Sequence, residues 1–212
     1  NFAIMAADYV WGQDSAKSFE AAVTGQGKKV GTKLFVPLGT KDYAPYIQQL
    51  KNAKADAIWV ADVSGAIAFT KQAADFGLIP QTPLIGHALL SNFIVNATGN
   101  ALTNVPGNVG YTPDRHSRLP SDTEGQAYNG TMVLLQGVKL AGSTKPLDVT
   151  KALRGAEVET LYGKATVRPA DNQLLIPNYI ARVKVADGVL RPVIEQSYPA
   201  TITPPASPLC KL

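Results

Sequence analysis

The pattern of apolar runs and turn residues predicts an α/β chain: a lobe with a doubly wound parallel sheet, plus helices that belong to a second, incomplete lobe. Three observations predict it. The runs Phe2–Ala7, Val30–Val36 and Ala57–Ala61 have the length and apolar texture of strands buried on both faces. Between them lie stretches with apolar residues at three- and four-residue intervals, the mark of helices with one buried face. The alternation continues to about residue 111 and then stops in a stretch of Pro, Arg, His and Ser.

In chain order, Phe2–Ala7 is the first strand. Asp14 or Ser15 is placed to cap a helix over residues 14–23, with Ala16, Phe19, Ala22 and Val23 on one face and Gly25 and Gly27 ending it. Val30–Val36 is the second strand, closed by Pro37-Leu38-Gly39. Thr40 or Asp42 caps the next helix, in which Tyr43, Tyr46, Ile47, Leu50 and Ala53 share a face. After the third strand, Ala57–Ala61, the turn Asp62-Val63-Ser64-Gly65 leads into a helix that runs to about Phe76 and stops at Gly77. A fourth strand follows over 83–86, then a helical stretch over 89–95 and a short strand over 108–111. Right-handed crossovers put the first and third strands side by side where the winding reverses, and ligands bind such sheets beyond the carboxyl ends of the strands. The turn Asp8-Tyr9-Val10-Trp11-Gly12 would there face Asp62–Gly65, with His87 next along the rim.

The rest of the chain divides by composition. Residues 1–112 form the α/β lobe. Residues 113–173 hold a crossing segment and two helices, 123–140 and 147–153, that need a sheet to lie against. Residues 174–198 return as two strands around Asp187-Gly188, a hairpin signal. The Pro-rich tail 199–212 is an extended strap or disordered.

Composition limits the function. Over 212 residues the chain is 45% hydrophobic and 17% charged, the balance of a soluble globular protein, and no apolar run approaches the ~20 residues that span a bilayer. The net charge of +4 comes from scattered Lys and Arg with no aromatic interleaving, which argues against a nucleic-acid surface. The single cysteine, Cys210, forms no disulfide within the chain. The start at Asn1, without an initiator Met or signal peptide, suggests a mature product or part of a longer chain.

No hydrolase, metalloprotease or phosphate-loop signature is present. His87, His116 and Cys210 make no spaced metal set, and no metal or other cofactor is expected. His116 reads as an exposed loop residue. His87, directly after a strand, reads as a ligand contact or as a structural hydrogen-bonding group. Asp8 and Asp62, at adjacent strand ends, read as helix or turn caps, with acid–base catalysis the alternative. Tyr9 and Trp11 have just left a strand, so they either cover a small molecule or pack under the following helix.

Several of these stretches, in order and spacing, resemble the branched-chain amino-acid type of periplasmic substrate-binding protein that serves ABC transporters. They are Asp8-Tyr9-Val10-Trp11-Gly12, Gly39-Thr40-Lys41-Asp42-Tyr43, Ile47-Gln48-Gln49-Leu50-Lys51, Ala55-Asp56-Ala57-Ile58-Trp59 and Lys71-Gln72-Ala73 with Phe76-Gly77-Leu78. Shorter matches follow at Ala127-Tyr128, Leu161-Tyr162-Gly163, Asp171-Asn172-Gln173 and Cys210-Lys211. The resemblance implies an exported, non-catalytic protein that holds an amino acid or an aromatic or aliphatic carboxylate between two α/β lobes and delivers it to the membrane subunits of an ABC transporter. It implies that this chain is the later part of such a protein, without the first lobe, and that Cys210, if oxidised, pairs with a cysteine in that lobe. Its ligand contacts carry over to Tyr9, Trp11, Asp62, Val63, Ser64 and His87. Where the family has an acidic residue after the fourth strand to hold an amino group, this chain has His87-Ala88, and a ring N–H suits a carboxylate at least as well. A ligand-sensing module on the same fold, and a small α/β enzyme using Asp8, Asp62 and His87, are the alternative functions.

Overall fold

The computed structural model describes residues 1–110 and 122–210, so the crossing expected over 112–121, His116 included, lies outside the described residues. The fold is built outward from β1 (Phe2–Ala7), whose Ala3, Ile4, Met5 and Ala6 are fully buried. Small and branched apolar side chains suit a strand covered on both faces. It pairs in parallel with β2 (Val30–Val36) on one side and β3 (Ala57–Ala61) on the other, and β3 pairs in parallel with β4 (Leu84–His87), which pairs with β5 (Pro106–Val109). The sheet is completed by β9 (Asn178–Ala186) and β10 (Val189–Tyr198), giving the order β10-β9-β5-β4-β3-β1-β2. Asp187 and Gly188 between the last two strands have φ of 54° and 76°, the left-handed pair that a tight hairpin needs.

Helix α1 (Val10–Thr24) covers one face, where Ile4, Ala6, Ala16 and Ala61 form a core flanked by Trp11, Phe19, Val30 and Trp59. Helix α3 (Ala66–Asp75) packs beside α2 (Ala44–Asn52) and α4 (Asn92–Thr98). α1 begins four residues before the expected start, so Trp11 and Gly12 lie in its first turn and Asp14 is not its cap. Tyr9 occupies the cap position in extended conformation, with no side-chain cap. The helix starts there because Gly12 presses on the end of β1: a Cβ at that position would collide with the carbonyl oxygen of Ala7. α4 begins at Asn92 rather than 89, because Leu89 and Leu90 are spent burying the turn after β4.

The chain divides into two compact units, Asn1–Asn108 with Ile180–Glu195, and Val109–Tyr179 with Gln196–Leu212. In the second, α5 (Asp122–Ala141) and α6 (Pro146–Leu153) pack through Gly137, where a Cβ would press on Leu153 and Val149. The helices have a small sheet of their own that the sequence reading did not anticipate: β6 (Glu157–Thr160), β7 (Gly163–Val167) and β8 (Leu174–Leu175). Gln136 of α5 clamps Glu159, accepting from its N–H at 2.7 Å and donating to its carbonyl at 2.8 Å, and Asn129 accepts from the Leu161 N–H. Tyr128, Leu134 and Leu135 of α5 are left more than half exposed. In the tail, the carbonyl of Pro204 accepts from Arg168, itself paired with Asp171, at 2.6 Å. Cys210 is exposed and free. Among the described residues no helix is long and apolar enough to cross a membrane.

Gly12→Ala is expected to destabilise the chain by about 3 kcal/mol, the upper part of the range for overpacking against backbone that cannot yield. Urea denaturation of the two proteins checks this, and an unchanged midpoint would contradict the close approach.

Candidate functional site

The carboxyl ends of β1, β3 and β4 lie side by side, and the residues that leave them form a rim. Tyr9 and Trp11 come from the start of α1. Their rings stack with centroids 6.0 Å apart and planes 24° from parallel, and Tyr9 is 41% exposed. His87, the last residue of β4, lies 5.0 Å from Trp11 and 5.5 Å from Trp59 of β3. Trp59 in turn stacks on Phe19 of α1 at 4.5 Å and 6°. The five rings form one row along the edge of α1, lining an open cleft of about 870 Å³ with Ser15 and Ser18 beside it. That volume lies within the range of small-molecule sites.

Period-2 alternation explains the row. Trp59 pairs with Ile85, so Trp59, Ala61 and His87 share one face of the sheet while Asp62 emerges on the other. His87 is part-buried, and that burial lowers its pKa below the ordinary histidine value, the neighbouring Asn108 side chain acting in the opposite sense as the smaller influence. It is therefore neutral near pH 7. The indole nitrogen of Trp59 and Oδ1 of Asn108 are buried without a hydrogen-bond partner.

Of the six residues expected at the site, Tyr9, Trp11 and His87 line this cleft; Asp62, Val63 and Ser64 do not. Asp62 is 2% exposed, and both its oxygens are engaged. Oδ2 accepts from the Tyr43 hydroxyl at 2.8 Å, and Oδ1 accepts from Ser64 Oγ and from the Gly65 N–H, each at 2.9 Å. Burial and the Asp62 bond both raise the Tyr43 pKa, so the phenol remains the donor. A carboxylate buried at the end of β3 needs partners, and the start of α2 and the turn before α3 supply them. Asp8, exposed, accepts from Gln13 Nε2 at 3.0 Å. Sequence reasoning missed Phe19 and Trp59 as cleft residues because both fit a core pattern; their place beside His87 follows only from strand register. Among the described residues no cluster of His, Cys, Asp or Glu is arranged to hold a metal ion.

Residues 1–188 match the model of a family described as periplasmic binding protein. A curated relative, Leu/Ile/Val-binding protein homolog 6 of Brucella melitensis, is 24% identical over 202 residues, covering 85% of this chain and 52% of the relative. The chain thus spans about half the length of the curated relatives it matches. A solved ABC-transporter solute-binding protein of Rhodopseudomonas palustris BisB5, in complex with 3,4-dihydroxybenzoic acid, has a TM-score of 0.85 at 24% identity, covering 94% of this chain and 60% of that one. The closed form of a leucine-, isoleucine-, valine-, threonine- and alanine-binding protein of Brucella ovis has a TM-score of 0.82 at 18% identity, covering 97% and 59%. At these identities the likeness of structure establishes the fold.

The lowered pKa of His87 sets a sign for stability. As pH falls through about 6.5 the unfolded chain takes up a proton that the folded chain still refuses, so stability drops until the folded pKa is passed. His87→Gln removes this contribution. The stability of the native chain relative to that variant, from urea titrations, is expected to be greater at about pH 8 than at about pH 5; a difference independent of pH would contradict the assignment.

Proposed function

The chain belongs to the periplasmic binding protein family, and from that membership we propose that it is part of an extracytoplasmic solute-binding protein that takes up a small organic ligand and hands it to the membrane subunits of an ABC transporter. The observation that carries the proposal is the row Tyr9, Trp11, His87, which lies where open α/β sheets bind ligands and leaves flat ring surface facing a cleft. Tyr9 and Trp11 supply apolar contact, and His87 supplies a polar group. Val63 and Ser64 extend the same rim, and Asp62 contributes by holding their turn in place. Of two structures with this fold, one is a complex with 3,4-dihydroxybenzoic acid and the other is named as a leucine-, isoleucine-, valine-, threonine- and alanine-binding protein, which supports a ligand of that size.

The protein binds without transforming its ligand. Asp62, the buried carboxylate of the rim, is committed to Tyr43, Ser64 and Gly65, and so is unsuited to pairing with His87 in proton transfer. The family match supports an extracytoplasmic location, and the periplasm is the compartment proposed.

In the full-length protein Trp11→Ala is expected to weaken solute binding by about 1–3 kcal/mol, the scale of a lost aromatic anchor. Calorimetric titration of both proteins measures it, and equal affinities would remove Trp11 from the site.

A further inference from the structure

We propose that Asn108 is a positioning residue for His87: its amide oxygen holds the imidazole N–H, so that the ring turns a bare nitrogen, a hydrogen-bond acceptor, toward the cleft. That this acceptor meets a solute rests on the solute-binding reading above; the fixing of the ring does not.

Register brings the two side chains together. β4 and β5 run in parallel with His87 directly opposite Asn108. Residues paired in this way project from the same face of the sheet, on strands about 4.8 Å apart. Trp59 shares that face, but it belongs to β3 on the far side of β4, so His87 stands between it and Asn108. Oδ1 of Asn108 is buried without a partner, a position that costs free energy until a donor reaches it. The polar side chain beside it on β4 is His87. The terminal torsions of Asn and His are broad, so amide and ring can close on each other without either leaving its rotamer.

The sign of the influence of Asn108 tells which end of the amide faces the ring. An acceptor oxygen favours the protonated imidazole, whereas a donating amide group disfavours it. The Asn108 side chain acts to raise the His87 pKa, against the larger effect of burial. A neutral imidazole has one N–H, and once that is given to Asn108 the other nitrogen carries only a lone pair. The two ring nitrogens point in widely different directions. A ring with its N–H toward β5 therefore aims the lone pair to the side where Trp11 and Trp59 flank it and the cleft opens. Of the titratable groups around this space, Tyr9 and Asp14 line the cleft from α1, and Asp62 leaves β3 on the opposite face. A neutral amide at position 108 fixes the ring without charging it, which a carboxylate there would not.

Nitrogen-15 NMR of the full-length protein tests this without any solute, the His87 signals being those lost in His87→Gln. In the native protein one tautomer of His87 is expected to outweigh the other by about ten-fold or more. Its N–H proton is expected to give a persisting signal, because a proton held between β4 and β5 is shielded from water. Asn108→Leu, similar in size and without an acceptor, is expected to bring the two tautomers to comparable populations, to lose the N–H signal and to lower the titration midpoint of His87. Asn108→Asp keeps an acceptor oxygen and is expected to retain the signal and raise the midpoint above the native one. An unchanged tautomer ratio and midpoint in a folded Asn108→Leu protein overturns the inference. So does a native N–H that exchanges too fast to be seen, the mark of a donor turned to the cleft. If Asn108→Leu does not fold, the native signal and the Asn108→Asp midpoint decide. Each of these failures leaves the solute-binding reading standing, which calorimetric titration with a panel of amino acids and organic acids decides separately.

Discussion

The close contact between Gly12 and the carbonyl of Ala7 is the constraint on which the rest of the rim depends. β1 is buried on both faces, so the chain must leave the sheet at once and cover it, and a side chain at position 12 would hold the helix away. With glycine there, α1 starts three residues beyond the strand, bringing Tyr9 and Trp11 to the end of the sheet and Phe19 over Trp59. The helix start lacks a side-chain cap, which costs some local stability and leaves its first amide groups open at the rim. Packing at one glycine thus sets both the shape and the polarity of the cleft.

The opposite side of the rim is held by a polar knot rather than by close packing. Tyr43 gives its hydroxyl to Asp62, and its backbone N–H is taken by Gln72, whose amide in turn donates to the carbonyl of Lys41. Asp62 turns the chain through Ser64 and Gly65, and Gly65 leaves no room for a Cβ beside the Tyr43 hydroxyl. A loop between strand and helix would otherwise be among the more mobile parts of the fold. Here the start of α2, the turn after β3 and the body of α3 are tied together by side chains that have little left to offer a ligand. Rigidity of the rim and its shortage of free anion therefore have the same origin.

Much of the fold was legible because it follows from periodicity. The buried runs at Ala3–Ala6 and Ile58–Ala61 and the helical spacing of Ile47 and Leu50 mark the elements, and the short connections restrict their order. Trp11 and His87 could be placed on the rim because each falls at or shortly beyond the carboxyl end of an apolar run. What was not legible turned on contacts. Asp8 reads as a cap, yet the cap position of α1 falls on Tyr9 with no side-chain cap, and the determining contact, of Gly12 with Ala7, is not visible in the sequence. Asp62 could be foreseen as a cap or as a ligand contact, and only the position of Tyr43 decides what it holds. The β6–β7 hairpin did leave a trace, in the alternation of Val158, Ala165 and Val167 around the left-handed Gly163, but its strands are too short for the alternation to stand out against the helices beside them.

The central claim is that Trp11 and His87 form the ligand-facing wall while Asp62 is committed to the fold, and a crystal structure of the full-length protein with its solute bound tests it most directly. The account predicts solute atoms within about 4 Å of the Trp11 ring and a polar solute atom in hydrogen-bond reach of His87, with the Tyr43–Asp62 bond intact. A solute that touches neither ring, or that draws the Asp62 carboxylate away from Tyr43 to hold an ammonium, would contradict it.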